Sequence, residues 1–327
     1  MNAAWAAMNS KSTIQPRLLA IGGAHIDRRG QVSGDYAPAA SNPGSMRQEV
    51  GGVVFNALRT AVRRGLTGDI ISLRGGDAAG DDIARAIGEA GITDRSAVFL
   101  DRASASYTAV IDRHGDLIVG LADMGIYDLF PRQLRRSACR DAIETADAVL
   151  CDANLPKEAL ERIAELASRT QLHAIGISPA KVVRLSDMLA HISCLFMNRK
   201  EAAALTGLRA DAPHASLVIL LRAAGLKRAV VTDAASDVLA YDADDIWLVR
   251  PPVPKRVADV TGAGDAFAGA AVAAMLRGVP FQNAVREGVA AAKLTTEADN
   301  VVPNFDDEIF AAALAEVPPA RLLEGDK

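Results

Sequence analysis

The feature that most constrains the fold is the alternation of short apolar runs with stretches of helical periodicity. The apolar runs read LLAIGG from Leu18, DIISL from Asp69, AVLCD from Ala148, LHAIGI from Leu172, CLFMN from Cys194 and AVVTD from Ala229. Between them lie amphipathic stretches of helical length, such as DDIARAIGEAG and KEALERIAELASR. Because successive βαβ units build a parallel sheet, this pattern predicts an α/β fold with a mainly parallel central sheet and helices on both faces.

Two segments break this rhythm. Residues 25–50 are rich in Gly, Ser, Pro and Asn, and SYTAVIDRHGDLIVG alternates around a His-Gly turn in the way a β-hairpin does. Ligands of open α/β sheets bind at the carboxyl ends of the strands. We therefore expect lid strands from about 25–50 and 97–121 to form a small β-lid there, within one domain that covers residues 17–327 and follows a disordered leader, 1–16.

Composition limits the possible partners. The chain has 327 residues, half of them hydrophobic, and a formal net charge of −4 from 36 basic and 40 acidic residues. It has no electrostatic footprint for nucleic acid or for a membrane surface, and no run of transmembrane length. The three cysteines are far apart and match neither a disulfide framework nor a zinc site. We expect a cytoplasmic enzyme that acts on small molecules.

The strongest chemical signal is the segment Asp259-Val260-Thr261-Gly262-Ala263-Gly264-Asp265, which runs directly into the apolar helix AFAGAAVAAMLRG. A glycine-rich turn that opens a helix presents free N–H groups and the positive end of the helix dipole, which together bind anions. Asp265 at the helix start could take a proton from an attacking hydroxyl. Gly-Ala-Gly-Asp alone would more often be a turn with an N-capping aspartate. The chain has no GxxxxGK[ST] motif and no third glycine of a dinucleotide fingerprint.

This segment resembles the C-terminal signature of the PfkB, or ribokinase-like, family of carbohydrate and nucleoside kinases. The resemblance implies a ribokinase-like fold and transfer of the γ-phosphate of ATP to a sugar-type hydroxyl. It also implies that the amides of Gly262, Ala263 and Gly264 hold the transferring phosphate and that Asp265 is the catalytic base.

A second family motif, Asn-x-x-Glu, matches Asn198-Arg199-Lys200-Glu201. In the family it organises magnesium through water around the ATP phosphates, a role suited to a hard cation that keeps most of its water. Taken alone, the same four residues are an ordinary helix start with a capping box. By the same resemblance, the residues expected to contact the nucleotide are Asn198, Thr232, Thr261, Gly262 and Gly264.

The expected acceptor residues come from the N-terminal half. Asp27 in GGAHID, and Gly51-Gly52 with Asn56, correspond to family elements that hold sugar hydroxyls. Within the family, short segments that contain Asn42, Asp123 and Asn154 resemble the pseudouridine kinases. The resemblance therefore favours the 5′-hydroxyl of pseudouridine as acceptor. Kinases for ribose, fructose, 2-keto-3-deoxygluconate or adenosine remain alternatives.

Three further expectations concern a potassium site, the nucleotide loop and the oligomeric state. In the family, backbone carbonyls around the first Asp of the signature and in a later loop form most of a monovalent-cation site. Asp259 and Thr261 could supply the first part of a potassium site here, with the later loop near Glu297 to Pro303. The loop VTDAASDVLAY differs from the family's Thr-x-Gly-x-x-Gly by adding Asp233 and Asp237, so a nucleoside-binding sensor with little activity is a further alternative. An exposed lid hairpin could pair with a second copy of the chain, which predicts a homodimer.

Overall fold

The structure is a computed structural model that describes residues 15–323, so the predicted leader lies almost wholly outside the described residues. The strands are β1 Arg17–Ile21, β2 His25–Val32, β3 Gly44–Gly51, β4 Thr67–Ile71, β5 Leu73–Gly75, β6 Thr93–Asp94, β7 Ala97–Phe99, β8 Ser106–Ile111, β9 Leu117–Asp123, β10 Ala148–Asp152, β11 Gln171–Ile175, β12 Cys194–Asn198, β13 Ala229–Thr232, β14 Val238–Tyr241, β15 Ile246–Val249 and β16 Arg321–Leu322. The helices are α1 Val53–Arg63, α2 Ala78–Glu89, α3 Phe130–Gln133, α4 Ser137–Thr145, α5 Lys157–Leu166, α6 Pro179–Val182, α7 Arg199–Thr206, α8 His214–Ala223, α9 Ala263–Leu276, α10 Phe281–Glu297 and α11 Asp307–Ala315.

The central sheet has ten strands in the order β16-β15-β14-β13-β12-β11-β10-β1-β4-β6. The strands from β13 to β6 are parallel to one another, whereas β14, β15 and β16 continue the sheet antiparallel. The parallel strands read as continuous apolar runs because helices cover the sheet on both sides. Their carboxyl ends lie at one edge of the sheet, where ligands of such folds bind.

Two hydrophobic cores flank this sheet. Along β1, Leu19 and Ile21 belong to one core and Leu18 and Ala20 to the other, because side chains alternate across a strand. The second core contains the inner faces of α1, α9 and α10, so the helix that carries the glycine-rich motif is fixed against the sheet. The predicted α/β architecture with helices on both faces is confirmed.

A separate four-stranded sheet, in the order β3-β2-β8-β9, lies outside the central sheet. Strands β8 and β9 form an antiparallel pair with a register irregularity between Val110 and Ile111, and β2 pairs in parallel with β8. The second lid range is narrower than the sequence predicts. Ala97–Phe99 pairs instead with β5 in a two-stranded sheet, because a turn after Phe99 separates it from β8. Within residues 15–323, no helix combines the length and apolarity needed to cross a membrane.

Candidate active site

Helix α9 begins at the glycine-rich loop. Its N-cap is Gly262, whose φ of 79° lies in the left-handed region that glycine adopts without strain, and a Cβ there would collide with Val301. The amide of Ala266 bonds to the Gly262 carbonyl at 2.8 Å, and that of Ala263, one of the three predicted to hold the phosphate, donates instead to the Val260 carbonyl at 3.3 Å. No described residue accepts from the N–H groups of Gly262, Gly264 and Asp265. The loop therefore presents free amides at the positive end of the helix dipole, as an anion site requires.

Asp265 lies in the first turn of α9 and is partly buried. Asn56 of α1 donates from Nδ2 to Asp265 Oδ2 at 3.0 Å and so connects two distant parts of the sequence. Burial is the main cause that raises the pKa of Asp265 to about 7. The Asn56 hydrogen bond opposes this rise, and the carboxylates of Asp152 and Asp27 add to it. A carboxyl group with a pKa near neutrality is suited to general-base chemistry.

Asp27 is held by a chain of hydrogen bonds that starts in the core. Tyr127 Oη lies 3.1 Å from His25 Nδ1, and His25 Nε2 lies 3.2 Å from Asp27 Oδ1. Both His25 and Tyr127 are buried. Burial, reinforced by the carboxylates of Asp152 and Asp27, keeps the pKa of Tyr127 well above its ordinary value. Tyr127 and Asp27 therefore bond the two ring nitrogens of His25, which fixes the plane of the imidazole beside the Asp27 carboxylate.

The predicted glycine pair connects this chain to Asn56. Gly51 pairs with His25 across the lid sheet, and a Cβ at Gly51 would collide with Asp27 Oδ2. Gly52 is the N-cap of α1, and its carbonyl accepts from the amide of Asn56 at 2.8 Å. Strand β3 and helix α1 thus bring Asp27 and Asn56 to the same side of the loop that carries Asp265.

A carboxylate that the sequence interpretation did not select lies beside this acceptor side. Asp152 is fully buried at the carboxyl end of β10, and its Oδ1 accepts from the amide of Asn154 at 2.8 Å. Burial raises the pKa of Asp152 to about 6. Among the described residues, neither Asp152 Oδ2 nor the buried Asn56 Oδ1 has a hydrogen-bond partner. Buried acceptors without donors are costly, so these two oxygens point to a ligand that brings donors.

On the other side of Asp265, a cavity of about 300 Å³ opens at the carboxyl ends of β11, β12 and β13. Asp265 and Gly264 form part of its wall. Its other polar residues come from β12, α7 and β13, and its apolar floor from the sheet and α9. The lining includes Asn198, Glu201, Thr232, Ile175, Phe196 and Phe267. The cavity therefore joins three of the five predicted nucleotide residues to the predicted base, whereas Thr261 and Gly262 do not line it.

Asn198 and Glu201 bond to each other in a complete capping box at the start of α7. Glu201 N–H donates to Asn198 Oδ1 at 3.0 Å. Asn198 N–H and Nδ2 donate to the two Glu201 carboxylate oxygens at 2.9 and 2.6 Å. Burial raises the pKa of Glu201. Residues 15–323 contain no group of three or more His, Cys, Asp or Glu able to hold a metal ion. Asn198 and Glu201 offer oxygen ligands, the kind that Mg²⁺ prefers.

The remaining predicted acceptor residues are not joined to Asp265 by direct contacts. Asn42 uses its side chain to bond the backbone of Ala37 and Ala40 within the lid loop. Asp123 is exposed at the end of β9. Asn154 accepts from Lys181 Nζ at 2.6 Å. Their roles in substrate binding stay predictions.

Asp259 and Thr261 lie just before the anion loop and are bonded to the lid. Arg29 of β2 donates to Asp259 Oδ2 at 2.6 Å and to Thr261 Oγ1 at 3.1 Å. These bonds connect lid and anion loop across most of the sequence.

Comparison with known proteins identifies the family to which the chain belongs. The profile of the pfkB family carbohydrate kinases matches residues 15–307. The chain belongs to this family. It is 27% identical over 285 residues to the pseudouridine kinase of Escherichia coli (strain K12), covering 86% of this chain and 91% of that protein.

Solved structures of the family superpose over almost the whole chain. A carbohydrate kinase from Agrobacterium tumefaciens, 44% identical, matches with a TM-score of 0.85 over 94% of this chain and 100% of that chain. The Arabidopsis thaliana ribokinase complexed with ribose and ATP, 19% identical, has a TM-score of 0.82 over 92% and 99%. This protein is thus a ribokinase-like carbohydrate kinase, as its signature predicts.

The loop that departs from the family pattern is the turn of a hairpin between β13 and β14. Ala234 adopts a φ of 48°, a conformation that costs an L-residue roughly 1 kcal/mol. Asp237 is paired with Arg250 at 3.2 Å and Arg321 at 3.8 Å. These exposed ion pairs offset part of the charge of Asp237, one of the two carboxylates that the loop adds.

Sequence reasoning missed Asp152, Tyr127 and Arg29. Asp152 carried a usable signal, since it is the polar residue that ends the apolar run AVLCD at the carboxyl edge of a predicted parallel strand. Tyr127 and Arg29 carried none. Their importance depends on contacts with residues far away in sequence.

Proposed function

We propose that this kinase transfers the γ-phosphate of ATP to a nucleoside hydroxyl, with the 5′-hydroxyl of pseudouridine as the preferred acceptor. The observation that carries the proposal is the position of Asp265. It stands at the head of α9, beside free amides, between a donor cavity and an acidic acceptor side. A base, an anion hole and two opposed binding sites are the parts that in-line phosphoryl transfer needs.

Asp265 acts as the general base. A primary hydroxyl is almost un-ionised near neutral pH, so a carboxylate must take its proton as the bond to phosphorus forms. The Asn56 bond at 3.0 Å fixes one carboxylate oxygen and leaves the other for the acceptor. The amides of Gly264 and Asp265, without partners in the described part of the chain, receive the developing negative charge.

The acceptor side suits a ligand with several hydroxyls. Asp27 accepts hydrogen bonds, and Asp152 Oδ2 and Asn56 Oδ1 are buried acceptors that lack donors within residues 15–323. The Tyr127–His25 chain keeps Asp27 in one orientation, so the pocket is organised before the acceptor enters. Vicinal hydroxyls of a furanose ring supply the missing donors.

Bound magnesium would neutralise charge on the ATP phosphates. Asn198 and Glu201 are the residues that would hold it, through water, because both line the cavity beside Thr232 and Gly264 and carry oxygen ligands.

The choice of a nucleoside rests on the relatives. The Escherichia coli pseudouridine kinase matches along most of both chains, and a Thermococcus kodakarensis cytidine kinase is 34% identical over 110 residues. Ribose, fructose, 2-keto-3-deoxygluconate and adenosine stay as alternative acceptors, since a Haemophilus influenzae ribokinase also matches, at 27% over 250 residues.

We further propose a homodimer formed through the lid and a cytoplasmic location. Met46, Val119 and Leu121 of the lid sheet are exposed apolar side chains, and such patches usually mark interfaces. The cytoplasmic location is supported by three buried cysteines that are free thiols.

The test is a panel of nucleosides and sugars assayed for ADP release with ATP and Mg²⁺. We expect pseudouridine to be phosphorylated faster than its isomer uridine and than ribose, and its 5′-deoxy analogue not at all. Asp265→Asn should stay folded and bind both substrates, but lose ~10²- to 10⁴-fold in kcat, the usual contribution of a general base. If the Asn variant keeps most of its rate, Asp265 is not the base. A wild type inactive on the whole panel would favour the sensor alternative.

A further inference from the structure

Three arginine side chains hold the two loops for which the family resemblance implies a potassium ion. The first is Arg29 of lid strand β2. Its Nη1 donates to Asp259 Oδ2 at 2.6 Å and its Nη2 to Thr261 Oγ1 at 3.1 Å. One guanidinium therefore bonds both side chains that precede the anion loop.

The other two arginines bond the ends of the later loop, 297–303. Arg256 donates from Nε to the Glu297 carbonyl at 2.8 Å and from Nη2 to the Asp299 carboxylate at 2.7 Å. Arg63 of α1 donates to the carbonyl oxygen of Pro303. Between these ends the loop packs directly against the anion loop, since a Cβ at Gly262 would collide with Val301.

These bonds place guanidinium donors on oxygens of both loops, namely the Asp259 and Thr261 side chains and the carbonyls at the two ends of the later loop. Asp259 Oδ2 is bonded to Arg29, and Asp259 Oδ1 accepts from the amide of Thr261 at 2.9 Å. The Thr261 hydroxyl accepts from the same guanidinium. A fixed positive charge at hydrogen-bond distance also repels a second cation. The residues named for potassium therefore do not fit that ion in this chain.

We infer that Arg29, Arg63 and Arg256 take the place of a monovalent cation, so that phosphoryl transfer in this kinase does not depend on potassium. Guanidinium groups stay charged at every working pH and bond oxygens in fixed directions. They fix the position of the loop whose amides receive the transferring phosphate. The inference rests on the family's kinase reaction and not on the identity of the acceptor.

Arg29 adds a connection that a bound ion could not provide. It follows Asp27 by two positions in β2, so both side chains project from the same face of the lid. Acceptor binding at Asp27 and order in the anion loop are therefore linked through one strand. Arg29 is a positioning residue, and its loss should raise the KM for the acceptor as well as lower kcat.

The experiment compares KCl, NaCl and choline chloride at equal ionic strength. For the wild type we expect the same Tm and the same kinase rate in all three salts. Arg29→Gln leaves Asp259 unpaired, so we expect a loss of roughly tenfold or more in kcat, the size of one charge-assisted hydrogen bond. Both this rate and the Tm should then rise in KCl alone. Arg29→Lys should keep part of the rate.

Arg113→Gln is the matched control. Arg113 also lies on the lid and pairs with a carboxylate, Asp35, at 2.9 Å, and its side chain is 49% exposed against 45% for Arg29. A potassium-specific rise in the Tm or rate of the wild type would overturn the inference. So would an Arg29→Gln variant that behaves like Arg113→Gln. Because Tm is read without an acceptor, it decides the cation question even if the proposed acceptors all fail.

Discussion

Asp265 shares its surroundings with two further carboxylates, Asp27 and Asp152, and the three cannot all carry charge without cost. Burial raises the pKa of Asp265 to about 7 and that of Asp152 to about 6. The Asn56 bond and the nearby His25 oppose the rise at Asp265. The pKa of Asp265 therefore lies near neutral pH, and neighbouring charges decide how much of it is deprotonated there.

This arrangement predicts the pH dependence of the kinase. Because the base must be deprotonated, log(kcat/KM) should fall below a pKa near 7, with a slope approaching tenfold per pH unit, about the limit for a single proton. Asp152→Asn removes a negative charge that favours the protonated form of Asp265. The acid limb should therefore move to lower pH, as measured by pH–rate profiles of the free enzyme. A limb that stays in place would mean that Asp152 does not act on the base.

The same variant should also change the pH dependence of the free energy of unfolding, which serves as a control. The folded pKa of Asp152, about 6, lies above the unfolded value of about 3.9, so this carboxyl stabilises the fold at low pH and loses that contribution as pH rises from ~4 to ~6. Asp152→Asn should differ little from the wild type at pH ~4 and be more stable above pH ~6, by at most about 3 kcal/mol. Urea unfolding at both pH values measures this difference.

At the scale of elements, the junction of β12 and α7 combines a structural and a chemical role. Asn198 and Glu201 close the capping box, and the Glu201 carboxylate packs against the backbone after β11. A Cβ at Gly176 would lie 2.5 Å from Glu201 Oε2. The position of the carboxylate therefore depends on a residue outside the motif.

Two variants separate these roles. Glu201→Gln should raise the magnesium requirement of the kinase, because it removes the negative charge that attracts the hydrated ion. Gly176→Ala should do the same without changing Glu201, because the new methyl group displaces its carboxylate. Initial rates against free Mg²⁺ at fixed ATP give the comparison. Gly88→Ala is the control, since a Cβ there meets nothing within 4 Å. Unchanged magnesium curves in both variants would leave Glu201 as a helix cap only.

The elements themselves were largely readable from the sequence. The apolar runs at Leu18, Ala148 and Cys194 correspond to β1, β10 and β12, because buried parallel strands are continuous hydrophobic segments. The glycine-rich turn into α9 was equally clear, since Gly262 needs a left-handed backbone. The lid was predicted less well. Ala97–Phe99 has strand composition, but nothing in its pattern indicates that it pairs with β5.

Contacts between distant segments were not readable from the sequence. The Asn56–Asp265 bond spans 209 positions and the Arg29–Asp259 bond 230. No local period encodes such pairs, so only the family resemblance brought Asn56 and Asp265 together. Arg29 has no counterpart in the motifs that carry the resemblance. It became visible only when the lid strand was placed over the anion loop.

At the scale of the whole molecule, the lid sheet has two different faces. One carries Asp27 and Arg29, which reach His25 and the anion loop. The sheet register aligns Leu121 with Thr108, Val119 with Val110, and Val110 and Met46 with Gly30 on the opposite face. That opposite face carries an apolar strip, flanked by the polar residues Arg28 and Thr108. A second sheet of the same kind would cover it and leave the acceptor face free.

This asymmetry predicts a dimer that a substitution on the opposite face alone would dissociate. Leu121 is 67% exposed, and burying a leucine stabilises an association by about 1.5 to 3 kcal/mol. The wild type should elute with about twice the 34.3 kDa mass of one chain. Leu121→Lys should shift it to the monomer, because a buried unpaired ammonium is far more costly than the lost apolar contact. Ile219→Lys on α8 is the matched control, since Ile219 is 64% exposed but lies away from the lid. Light scattering after size exclusion measures the masses. A wild-type monomer would contradict the dimer, and a dimer that survives Leu121→Lys would place the contact elsewhere.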